Sequence, residues 1–203
     1  MPMASPDESG KVRQQRIQPT PPITESMRAH ARRNPGTWLH VIDEAYDPDG
    51  DVPQFAVVGS YPVDTNGDVV ESFHPNEDYL PSPKALGYPE PTSELEELLQ
   101  LVDAQHRPVS DLPPVVLRSI LYVYAVSPRQ NNLTGFYDRT GRIVVPAYTS
   151  RTMVPADWPG ARELTGRQLL PFLAGHPLAI NPHEMVTAVI PARHLEIAAR
   201  GQR

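Results

Sequence analysis

Cysteine is absent from the 203 residues, which excludes disulfides, thiolate nucleophiles and every zinc or iron–sulfur site built on thiolates. A metal would have to be held by histidines and carboxylates. Long hydrophobic runs are missing too. Nothing approaches the roughly 18 consecutive apolar residues of a membrane span, and the opening MPMASPDESGKVRQQRIQPTPP has acidic residues in place of the apolar core of a signal peptide. The expectation is a cytoplasmic chain that does not enter a membrane. Aromatic residues are few, at 7%, and the basic residues are scattered without interleaved aromatics, which argues against a nucleic-acid partner.

Proline, by contrast, is abundant, at 25 residues against an average usage of about 5%. Short elements joined by rigid turns are therefore expected. Apolar residues make up 39% of the chain, enough for a core. The net charge of −6 is unevenly spread: residues 1–33 hold six basic and three acidic residues, 34–111 two and sixteen, and 112–203 ten and five. Such segregation favours attraction within the fold or across an interface.

Residues 1–22 are polar, proline-containing and aperiodic, the pattern of a disordered tail. Thr24 is placed as the N-cap of a helix over 25–34, with Ile23, Met27 and Ala31 on its apolar face and Pro35-Gly36 stopping it. Residues 38–42 and 55–61 read as strands, and Asn66-Gly67 as a hairpin turn into a further strand over 69–73. Thr92 is the expected cap of a helix over 93–104 whose face is Leu95, Leu98, Leu99 and Val102. Further on, the pattern predicts a short helix at 113–119 and a strand at 120–126. A hairpin turn at 138–141 then leads into a strand over 143–148, followed by a helix over 166–174, strands at 178–180 and 186–190, and a terminal helix over 192–199. No internal repeat is present. The mixed order predicts an α+β fold, with mixed sheets flanked by helices, and three regions: a tail (1–22), an N-terminal α/β region (23–111) and a C-terminal α/β domain (112–203).

The acidic loop Asp47-Pro48-Asp49-Gly50-Asp51 spaces carboxylates like the start of a calcium loop, but the twelfth position is Val58 where a bidentate glutamate is needed. Asp64 to Asp68 fails in the same way at Pro75. Turn chemistry is the expected role of both. The seven histidines form no H-x-x-x-H or H-E-x-x-H pair. His40 with Asp43, or His74 with Asp78, would make an acid–base pair if folding joined them, though no activated nucleophile accompanies either. Thr149-Ser150 lacks the G-x-S-x-G frame of a nucleophile elbow, so capping is the role assigned to Ser150. No catalytic residue, cofactor or metal is therefore expected. The features that point to binding are aromatics around the acidic segment (Trp38, Tyr46, Phe55, Tyr61, Phe73 and Tyr79) and Trp158 in the loop Asp157-Trp158-Pro159-Gly160.

Residues 118–198 resemble the SseB-like domain of bacterial proteins. The resemblance is carried by Gly141-Arg142-Ile143-Val144-Val145-Pro146-Ala147-Tyr148-Thr149-Ser150, by Pro155 to Gly160, by Thr165 to Pro171 and by Leu178-Ala179-Ile180-Asn181-Pro182. The first half is similar to actinobacterial proteins associated with type VII secretion, through Asn34 to Trp38, Tyr46 to Pro53, Gly59 to Asp64 and Phe73 to Asn76. This resemblance implies a cytoplasmic accessory that binds another protein, a secretion component or a secreted substrate, and implies no reaction. The residues expected to meet that partner are Asp47, Asp49, Asp51, Trp158, Asn181 and Pro182. An immunity protein that occludes a neighbouring toxin is the related alternative, and a hydrolase using a histidine–carboxylate pair is the alternative of a different class.

Overall fold

The structure is a computed structural model that describes residues 20–127 and 133–201. The expected tail lies outside the described residues as far as residue 19. The fold is α+β, as the element order predicts. The described residues form two compact units, one of residues 20–41 and 59–75 and the other of residues 42–58, 76–127 and 133–201. The boundary expected at residue 111 does not coincide with this division, because the helix before it shares its core with the helix after it.

In the first unit, helix α1 (Glu25–Arg33) begins where Thr24 Oγ1 accepts the backbone N–H of Met27 at 3.3 Å. Its face of Ile23, Met27 and Ala31 packs with Leu39, Tyr61, Val63 and Val69. Strands β1 (Trp38–Ile42), β2 (Val57–Pro62) and β3 (His74–Pro75) form a three-stranded sheet in that order. The Asn66-Gly67 turn forms, held by Asp64 Oδ1, which accepts the N–H groups of Asn66 and Asp68 at 2.9 and 2.8 Å. The strand expected over 69–73 does not. After a single bridge between Val63 and Val69, Ser72 N–H turns back to Val70 O at 2.7 Å, and this tight turn lifts the chain off the sheet. Pairing resumes only at His74–Pro75.

The second unit is built on a six-stranded sheet. Its strands are β4 (Ile120–Tyr124), β5 (Phe136–Tyr137), β6 (Ile143–Tyr148), β7 (Ala161–Thr165), β8 (Leu178–Ile180) and β9 (Ala188–Ile190). The order is β7-β4-β6-β8-β9, with β5 paired to the start of β6. Only β6 and β8 run parallel. Pro146 sits in the middle of this sheet, where a missing N–H is costly. Val145 and Ala147 serve the β8 side, through Val145 N–H to Pro177 O and Asn181 N–H to Ala147 O, so Pro146 faces the other edge. There the β4 register closes at Tyr122–Tyr148 and Val123–Ala147, and β5 takes over the first half of β6.

Helices α2 (Glu94–Asp103), α3 (Leu112–Arg118), α4 (Gly166–Leu169) and α5 (Ala192–Gly201) all cover one face. Leu121 and Val123, Val145 and Ala147, and Leu178 and Ile180 point into that layer, against Leu95, Leu99, Val116, Leu169 and Leu195. A fully buried leucine contributes about 1.5–3 kcal/mol, so this layer is the main source of stability. Gly166 lets α4 lie against α3, since a Cβ there would be 2.1 Å from Val116 O. Two helix limits differ from expectation. Ser93, not Thr92, caps α2, because Thr92 gives both its N–H and its hydroxyl to Glu96 Oε2 at 2.7 Å. The helix expected over 166–174 becomes a 3₁₀ turn after Leu169, where Pro171 lacks the N–H to continue it. Strand β7 was not anticipated at all.

Candidate functional site

Strand alternation sends the remaining side chains to the face that carries no helix. Cross-strand register places Glu163, Tyr122 and Tyr148 in one row there. The next row holds Ala161 and Tyr124, then Pro146, Ala179 and Val189. The loop after β6 folds Trp158 back over these rows. Its ring meets Tyr124 and Tyr148 edge-on at 5.3 and 5.4 Å and lies parallel to Phe136 at 6.2 Å. Tyr124 also meets Phe136 edge-on. These are the geometries that aromatic quadrupoles favour. Tyr148 is buried, whereas Phe136 is 38% exposed, and Ile120 and Val189 each 51%. Apolar and aromatic surface thus extends from the β9 edge across the sheet to β5.

The C-terminal ends of the parallel pair β6 and β8 hold the polar side chains. Asn181 is buried and takes a left-handed φ of 48°. Its Oδ1 accepts Thr149 N–H at 2.9 Å, and its Nδ2 donates to Thr149 Oγ1 at 3.0 Å. The single Thr149 hydroxyl proton then goes to Glu96 Oε1 at 2.7 Å. Burial alone would raise the Glu96 carboxyl, but hydrogen bonds from Thr92 and Thr149 outweigh it and leave it below its ordinary value. Beside this cluster an open groove of about 430 Å³ is lined by Ser93, Glu94, Arg118, Ser119, Ile120, Tyr122 and Thr149. Its cation, Arg118, is paired with Glu94, so no free positive charge faces it. Among the described residues no buried side-chain polar atom lacks a partner, and no group of three histidines or carboxylates could hold a metal ion.

The residues singled out in the sequence fall as follows. Asp47, Asp49 and Asp51 are exposed, and Asp47 Oδ1 accepts Asp49 N–H at 3.0 Å, closing the turn. Trp158 is half-buried in the aromatic cluster. Asn181 is committed to Thr149, while Pro182 is half-buried and its carbonyl accepts the Tyr148 hydroxyl at 3.3 Å. Neither histidine pair forms. His40 Nδ1 bonds Ser60 Oγ at 2.7 Å, and His74 lies edge-on to Trp38. The carboxylate of Asp43 is buried and accepts from Ser82 N–H, Ser82 Oγ, Tyr79 Oη and Ala45 N–H. Ser150 caps a 3₁₀ turn through Thr152 N–H. Of the aromatics around the acidic segment, Tyr61 is buried, Trp38 is 52% exposed, and the others are half-buried.

Sequence reasoning did not anticipate the association of Tyr124, Phe136, Tyr148 and Trp158. The signal was available in Tyr122-Val123-Tyr124 and in Tyr148, where tyrosines occupy the strand positions that alternate with the aliphatic core. Among the described residues, no helix is long and apolar enough to cross a membrane. No family model, curated protein or solved structure matches the chain.

Proposed function

We propose that this chain is a non-enzymatic, cytoplasmic protein-binding module that serves type VII secretion as an accessory, the role its resemblance implies. The observation that carries the reading is the helix-free sheet face, where Phe136, Ile120 and Val189 remain open to solvent around a rigid aromatic cluster. Exposed aromatics held in place by packing lose little conformational freedom on contact, which is why they anchor protein interfaces. The polar chemistry supports the same reading. Asp43, Glu96, Thr149 and Asn181 are taken up in pinning loops and strand ends, and each histidine that could have joined a carboxylate has another neighbour.

The test is affinity capture from an actinobacterial host that carries the secretion system, using the native chain and a Phe136→Ser, Val189→Ser double variant. A secretion component or secreted substrate should be retained by the native chain and lost by the variant, with thermal melting unchanged. Retention of the same proteins by both would contradict the reading.

A further inference from the structure

Charge is not spread evenly around the second unit. Its stretch 112–203, which builds the six-stranded sheet, holds twice as many basic as acidic residues, yet the helix-free face of that sheet is bordered by carboxylates. Glu163 stands directly across from Tyr122. Asp157 precedes Trp158 in the loop that covers the cluster, and Glu184 follows Pro182, whose carbonyl holds the Tyr148 hydroxyl. All three carboxylates are exposed, and none has a cation within ion-pair distance among the described residues. Asp157 and Glu184 lie near enough to Tyr148 that, after burial itself, their negative charges push its hydroxyl pKa up.

The basic residues of this stretch are placed elsewhere or are paired. Arg167, Arg193 and Arg200 belong to the helices, Arg118, which lines the groove beside Ile120 and Tyr122, is paired with Glu94, and Arg162, in register with the inward-facing Val123, lies on the helix side of β7. At the β5–β6 turn Arg142 is neutralised by Asp138 at 3.0 Å, leaving Arg139 beyond it and Arg151 in the loop after β6. The open face thus combines an apolar floor, aromatic rings and a border of acid that is unpaired among the described residues.

We propose that this face docks a basic segment of the partner protein, an extended stretch in which arginine or lysine alternates with apolar side chains. The exposed rings and Val189 receive the apolar side chains. Asp157, Glu163 and Glu184 receive the cations, and the faces of Trp158 and Tyr124 add cation–π attraction. The proposal rests on the binding-module reading and specifies the partner's chemistry. Rim charges of this kind govern encounter and selectivity more than total affinity, so the discriminating quantity is the preference for basic over neutral ligands.

The chain has two tryptophans, and Trp38→Phe leaves Trp158 as the sole reporter at the site. Three synthetic peptides of equal length are titrated into this protein, alternating leucine with arginine, with glutamine or with glutamate. The arginine peptide should shift Trp158 emission saturably and bind about tenfold or more tighter than the glutamine peptide. That preference should shrink at high salt and vanish in the Asp157→Asn, Glu163→Gln, Glu184→Gln variant, with melting unchanged. Equal or tighter binding of the glutamine or glutamate peptide would overturn the proposed charge preference while leaving the face as a docking surface. Absence of any shift, with partner capture still dependent on Phe136 and Val189, would overturn the basic segment and spare the binding reading. Self-association in sedimentation, abolished by Val189→Ser, would assign the face to a second copy and also overturn the proposal.

Discussion

At position 181 a buried asparagine with a positive φ does the work of a small brace. Its amide satisfies both the N–H and the hydroxyl of Thr149, and asparagine tolerates the left-handed conformation better than most residues. Asn181→Ala removes both bonds and strains the backbone, so we expect a loss of about 2–4 kcal/mol, read as a lower urea midpoint with an unchanged m value. Asp43 and Glu96 are a second kind of pin. Burial opposes ionisation of both, but their hydrogen bonds win, and the folded-state pKa of each lies below its ordinary value. Their contribution to stability is therefore complete above the ordinary carboxylate pKa of about 4 and is lost as pH falls through the lower folded-state value. Thermal melting should fall across that acidic window, and Asp43→Asn, less stable at neutral pH, should show a shallower acid dependence.

Whole elements were legible in the sequence wherever local chemistry and packing agreed. α1 begins at the Thr24 cap expected of it, and the hairpin turn at Asp138 is held by that carboxylate, kept far below the usual range by the Thr140 hydroxyl first and then by the Arg142 N–H. Legibility failed where tertiary pairing decided the outcome. β7 buries only Leu164 among its five residues, so no period-two pattern marks it, and its ladder with β4 is what makes it a strand. Val69 to Phe73 carries the apolar content of a strand, yet the turn at Ser72 removes it from the ladder. The cluster of Tyr124, Phe136, Tyr148 and Trp158 was hidden for the same reason, since register across β4 and β6 brings together rings far apart in the chain. At this scale two stability measurements discriminate. Ser93→Ala should cost about 1 kcal/mol through loss of the α2 cap, and Gly166→Ala about 2 kcal/mol or more, because its Cβ meets a backbone carbonyl that cannot yield without separating α3 from α4.

For the molecule as a whole, the two faces of the main sheet have different tasks. The helix-covered face holds the aliphatic core, and the opposite face presents aromatic side chains with an acidic border. An uncovered sheet face of this composition costs solubility and is expected to have a partner. The acidic residues concentrated over 34–111 add to a negative field that would steer a basic partner toward the chain. Hydrogen–deuterium exchange on the chain with its captured partner tests the central claim most directly. The account predicts protection at Ile120–Tyr124, at Phe136–Tyr137 and around Trp158, with the helix layer unchanged. Protection confined to α2 and α5, with the aromatic face exchanging as in the free chain, would contradict it.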